Sequence, residues 1–296
     1  MIRLLIFWII LANSLFIGGA ILLGSLAPRG AEIAFVSAQE DKPAIYRMDI
    51  SRLLKVHLSE YHSAAYSPAW SPDGSQLVFY SDRDGSRDLY LMDADGRNIR
   101  RLTQNQAKND SPSWSPDGKS IAFFSDTGDN YNIFILNLTD GRIRPLLPDD
   151  IYWDANPSWS HDGKQIAFVS TREDENANVF VIDADGTHLR RLTDNPAEDY
   201  GPEWSPDGTQ IAFVARNVHD GSLRVQVMNA DGSNLRNLEG DRSVDQTPSW
   251  SPDGQDIIFA SVNGRDFDLF MMDADGRNVR ALTDNAVDDW GPVWRP

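Results

Sequence analysis

The chain has 296 residues, 44 Asp and Glu against 27 Lys and Arg, a formal charge of −17, and no cysteine. That balance argues against nucleic acid as a partner, because phosphate binding draws on clustered positive charge. The missing thiols exclude disulfides, thiolate metal sites, cysteine nucleophiles and a lipid-modified cysteine anchor.

From Leu4 to Ala27 no residue is charged. As a helix this run of 24 residues would be about 36 Å long, enough for a hydrocarbon core of about 30 Å. It exceeds the apolar core of an ordinary signal peptide. We therefore read residues 1–30 as a signal anchor or transmembrane segment, with 4–27 in the membrane. The remainder then lies on the periplasmic or extracellular face. The small residues of Ser25-Leu26-Ala27 keep a cleaved leader as the alternative.

The rest is a repeat. Trp-Ser-x-Asp-Gly begins at Trp70, Trp114, Trp159, Trp204 and Trp250, and a sixth Trp stands at 294, with spacings of 44, 45, 45, 46 and 44. A Pro precedes each Trp by two residues, from Pro68 to Pro292. After each turn comes a short apolar run, such as Leu77–Ser81 or Ile166–Ser170, then a second run ending in a polar turn such as Asp-Ala-Asp-Gly, then a basic-apolar run such as Arg190-Arg191-Leu192-Thr193. One unit is thus four short strands, A to D, with Ser-Pro-Asp-Gly turning A into B and Asp-Gly turning C into D. Strand B is apolar at successive positions, so both of its faces must be buried. Stacked neighbours around an axis provide that burial, and the arrangement is a β-propeller.

The two ends set the blade count. Residues 31–66 supply a strand B (Ile33–Ser37), a strand C (Ile45–Asp49) and a strand D (Val56–Leu58), but no strand A. The spare strand A is Gly291–Trp294. The expected fold is all-β: a six-bladed propeller over 31–296, closed by pairing the C-terminal innermost strand with the N-terminal strands.

The pattern Asp-x-x-Pro-x-Trp-Ser-Pro-Asp-Gly, then Ile-Ala-Phe-x-Ser, Asp-Gly and Arg-x-Leu-Thr, resembles the propeller repeats of the TolB family, the periplasmic component of the bacterial Tol–Pal envelope system. The resemblance spans 31–296 and implies a Tol-system or cell-envelope role with a protein partner. The α/β domain that precedes the propeller in that family is expected to be absent, as is the hydrolase domain that follows related repeats in prolyl-oligopeptidase-type enzymes.

Strand alternation puts the A–B and C–D turns on one face, and the B–C and D–A loops on the other. The D–A loops differ between blades and run into the channel mouth, so this loop face is the candidate binding face. Three residues before each strand-A Pro stand Ala65, Asn109, Asp154, Asp199, Asp245 and Asp289, followed by Tyr66, Asp110, Ala155, Tyr200, Gln246 and Trp290. From these the candidate site is Tyr66, Asn109, Asp110, Asp154, Asp199, Tyr200, Asp245, Asp289 and Trp290. Acid with aromatic walls suits a cation or a basic, extended peptide, and the expected partner is a protein or basic peptide of the cell envelope. The competing reading makes each Asp a cap for its own loop. No cofactor is expected, a channel-bound cation such as calcium being the open alternative. The sequence has no Gly-x-Ser-x-Gly, phosphate loop or His-Glu-x-x-His, and the expected function is non-catalytic binding. A lyase or glycan hydrolase built on loop carboxylates, or a sensor ectodomain, are the alternatives.

Overall fold

Six four-stranded antiparallel sheets follow one another around a central axis. The computed structural model describes residues 31–39, 41–59, 63–105, 107–126, 130–148, 151–173, 176–238 and 245–296. The expected anchor, 4–27, lies outside them, and among the described residues no helix is long and apolar enough to cross a membrane.

Blade 1 is assembled from both ends of the chain. Its innermost strand is Asp289–Trp294, followed outward by Glu32–Ser37, Ala44–Asp49 and Leu54–His57. Ile33 pairs with Trp294 and Ser37 with Asp289, which is the closure expected from the spare strand. The outer strand starts at Leu54, two residues earlier than its sequence suggested, because the preceding turn is a tight hairpin.

Strand B explains why the blades stack. Ile33 and Phe35 pack with Ile258, Leu269 and Met271 of blade 6, whereas Ala34 packs with Leu77, Phe79 and Tyr90 of blade 2. Ile33 through Val36 are all fully buried. Burial of each such Ile, Phe or Val stabilises by roughly 1.5–3 kcal/mol, and the core is a ring of six inter-blade layers, each formed by two neighbouring blades.

The turn motifs also hold the ring. In Ser71-Pro72-Asp73-Gly74, the Ser71 hydroxyl donates to Asp73 Oδ1 (2.6 Å) and accepts from the Gln76 amide (2.9 Å), while Asp73 Oδ1 also accepts from the Ser75 amide (3.0 Å). These bonds hold the Asp73 carboxyl down to about 2. In the C–D turn, a Cβ on Gly96 would lie 2.4 Å from the Leu58 carbonyl oxygen of the previous blade. That glycine therefore serves blade packing as well as its positive φ of 84°. Outer-strand arginines reach across the seams: Arg144, Arg190 and Arg236 donate to the carbonyls of Ala184, Ala230 and Ala274. The Ala94 amide bonds the Ser75 carbonyl (2.9 Å), which puts A–B and C–D turns on one face.

Candidate functional site: the central channel

The inner strands do not run straight. Ser67, Ser111, Asn156, Gly201, Thr247 and Gly291, each just before the strand-A Pro, have φ between 45° and 58°. Each A–B pairing shifts register near this point. The bulge turns the Pro-x-Trp segment toward the axis. These segments wall a cavity of about 560 Å³, which extends from the bulge residues to Pro72, Pro116 and His161 at the turn face.

A hydrogen-bonded girdle links the inner strands across four seams. The residue between Pro and Trp accepts from the Trp amide of the next blade: Ser113 from Trp159 (3.2 Å), Ser158 from Trp204 (3.4 Å), Glu203 from Trp250 (3.1 Å) and Ser249 from Trp294 (3.5 Å). Ala69 and Val293 hold this position in the other two blades and have no side-chain acceptor. Glu203 is the only Asp, Glu, Lys or Arg side chain among the described residues lining the cavity. Its Oε1 also accepts from the Ser249 hydroxyl (3.1 Å). Burial at the channel wall raises its carboxyl to about 7. Sequence reading missed Glu203 because it looked for acid at the start of strand A; the signal was a lone Glu where the other units have Ala, Ser or Val.

The sequence-predicted set divides in two. Asn109, Asp154, Asp199, Asp245 and Asp289 are buried. Arg172 Nη2 clasps both carboxylate oxygens of Asp154 at 2.9 and 2.8 Å, with its guanidinium over Phe168 and Phe180. Asp289 Oδ2 accepts from Lys55 (2.9 Å) and Asn285 (2.8 Å). Asn109 exchanges bonds with Asn105, accepts from Ser125 and donates to Thr103. Asn195 donates to Asp199, whose carboxyl burial raises to about 6. The pairs 105/109, 195/199 and 285/289 share one spacing, a recurrence of Asn four residues ahead that the sequence displayed. The threonine of Arg-x-Leu-Thr joins the same corner: Thr103, Thr193 and Thr283 accept from the strand-C amides of Leu89, Val179 and Leu269.

The other half stays partly exposed at the loop face. Tyr66 stacks on Tyr80 with centroids 4.9 Å apart. Asp110 Oδ1 accepts from Ser67 of the neighbouring blade (3.1 Å) and from the Ser111 amide (2.6 Å); burial raises its carboxyl above the usual range. Tyr200 donates to Glu198, which pairs with Arg216 (2.9 Å). Trp290 packs with Phe267 against the blade 1 and blade 6 core. These four residues stand on four different blades, each one position before a bulge residue that lines the cavity, but none of the four lines the cavity itself. Among the described residues, no three His, Asp or Glu side chains converge as a metal site.

A family model described as the TolB beta propeller domain matches residues 18–173 and 149–296. TolB from Acinetobacter baumannii is 24% identical over 91% of this chain and 68% of its own, with a TM-score of 0.82. A putative TolB from Agrobacterium tumefaciens is 24% identical over 88% and 91%, with a TM-score of 0.72. An oligogalacturonate lyase in complex with manganese shares the fold more distantly, at 17% identity, 87% and 74% coverage and a TM-score of 0.56. None of the curated proteins compared matches the chain.

Proposed function

The chain belongs to the TolB β-propeller domain family, and we propose that it is a non-catalytic binding module of the cell envelope with a Tol-system role. In this reading residues 4–27 hold it to the membrane, and the loop-face mouth receives a protein or basic peptide. The observation that carries it is the division of the mouth residues. Asn109, Asp154, Asp199 and Asp289 hold their loops through buried internal bonds, whereas Tyr66, Asp110, Tyr200 and Trp290 keep part of their surface exposed on four different blades, where a partner can meet them. Rigid aromatic side chains around a concave centre are the usual anchors of a protein interface. A net charge of −17 favours a basic partner and an on-rate that falls with salt.

Photo-crosslinking the full chain in its membrane tests this. A crosslinkable residue at Tyr200 or Trp290 should trap a discrete partner, and one at Thr187 on the turn face should not. Trp290→Ala with Asp110→Asn should reduce recovery through the Tyr200 crosslink by at least tenfold. Equal recovery from both faces, or no change in the double variant, rejects the mouth as the site.

A further inference from the structure

Blade 1 exposes three large apolar side chains at its outer strand, where among the described residues the other blades expose at most one each, Ile143, Leu189 or Leu235. Leu53, Leu54 and Val56 are 47%, 59% and 46% exposed. Leu54 and Val56 lie on one face of the outer strand, and Leu53 is in the turn before it. In the other five blades an arginine occupies the position of Val56, opposite an apolar residue of strand C: Arg100 opposite Leu91, Arg144 opposite Ile135, Arg190 opposite Val181, Arg236 opposite Val227 and Arg280 opposite Met271. In blade 1 the pair is inverted, with Arg47 on strand C opposite Val56. The inter-blade clasp survives the inversion, because Arg47 donates to the Ala94 carbonyl (3.4 Å). What changes is the outside: a valine replaces an arginine beside two exposed leucines.

The position of the patch says what covers it. Glu32 pairs with Asp49, and the Ile50 amide donates to the Ala31 carbonyl (3.0 Å). The chain therefore enters the propeller at the hairpin that ends in Leu53, on the turn face. Ala27 closes the uncharged run only four residues before Ala31, a reach of at most about 14 Å. With 4–27 in a bilayer, the hairpin of blade 1 has to sit at the lipid surface. Exposed leucine and valine beside Arg52, which is exposed and pairs with Asp49 at 3.7 Å, suit that boundary, with apolar groups toward the acyl chains and the guanidinium at headgroup level.

We propose that Leu53, Leu54 and Val56 form a membrane-seating patch that rests the blade 1 corner of the turn face on the bilayer, tilting the ring so that the far blades and the loop-face mouth stand clear of it. This rests on the anchor reading of 4–27. The absence of native cysteine makes single labels unambiguous. The full chain, with an environment-sensitive fluorophore on Leu54→Cys, Thr187→Cys across the ring, or Asp194→Cys on the loop face, is inserted in phosphatidylethanolamine–phosphatidylglycerol vesicles whose acyl chains carry a quencher. The Leu54 label should lose most of its emission and the other two should keep theirs. Adding Leu53→Ser and Val56→Ser should restore the Leu54 emission. Alkaline washing and sedimentation report the anchor separately. Protein that stays in the pellet with an unquenched Leu54 label, or with quenching indifferent to the two serines, overturns the seating patch and leaves the anchor. Protein released to the supernatant overturns the anchor and the patch with it.

Discussion

Glu203 holds a carboxyl where its neighbours in the girdle have neutral hydroxyls. Its protonation is linked to folding. Burial raises the folded carboxyl from 4.5 to about 7, so between those values the folded chain keeps a proton that the unfolded chain releases. Stability from this group therefore falls as pH rises through the window, by at most about 3 kcal/mol, and by less where channel water screens the charge. Glu203→Gln keeps an oxygen for Trp250 and Ser249 and removes the titration. The variant should match the wild type in Tm near pH 4.5 and exceed it progressively up to pH 8. Asp199 titrates with the same sign in both proteins and cancels in the difference. Parallel Tm profiles would show that Glu203 is not desolvated. At this scale the sequence was least legible. The repeated Asp that opens strand A marks a buried corner: Asn195 and Asn285 stand only four residues ahead of it, but Lys55 and Arg172 lie on segments that only the fold brings beside it.

The inner strand is the element that makes a channel, and its bulge has a measurable energetic signature. A φ near +50° is strained for any residue with a Cβ, and most for a β-branched one. Thr247 has φ 48° and Gly201 φ 53° at equivalent positions. A Cβ on Gly201 would meet nothing within 4 Å, so a substitution there reports backbone strain without a clash. Gly201→Val should destabilise by about 1–3 kcal/mol, and Thr247→Asn should stabilise by up to about 1 kcal/mol, since asparagine tolerates the left-handed region. Denaturant midpoints at constant m-value would measure both. If neither midpoint moves, the bulge is not strained as its dihedrals state. The strands themselves were legible: Trp spacing, Pro at a fixed offset and Asp-Gly turns are local chemistry that repeats. The bulge was not, since a Pro two residues before a Trp is compatible with a plain strand, and the residues at positive φ share no side-chain type.

At the scale of the whole molecule, the six inter-blade layers depend on one non-covalent seam. Blade number and closure were legible because a unit lacking strand A at one end and a spare strand A at the other leave one economical pairing. The inner strand Asp289–Trp294 makes the A–B ladder of blade 1, covers Ile33 and Met48 with Trp294, and offers Asp289 to Lys55. Beyond it, the Arg295 amide bonds the Glu32 carbonyl (2.9 Å), and its guanidinium pairs with Glu32 and lies over the Trp70 ring. Removing residues 289–296 exposes an unpaired edge on Glu32–Ser37 and uncovers the apolar layers against blades 6 and 2. Loss of one inner strand should then abolish the single cooperative transition rather than lower it by a fixed amount, because each layer needs both of its blades. Trp294→Ala, which leaves the ladder in place, should keep one transition and lower stability by about 3–5 kcal/mol. The truncated chain should show broad melting and bind a hydrophobic dye at temperatures where the Trp294 variant does not. A truncated chain that melts as sharply as the full one would mean that blade 1 closes the ring without its inner strand, and the channel would then have to be wider and differently lined on that side.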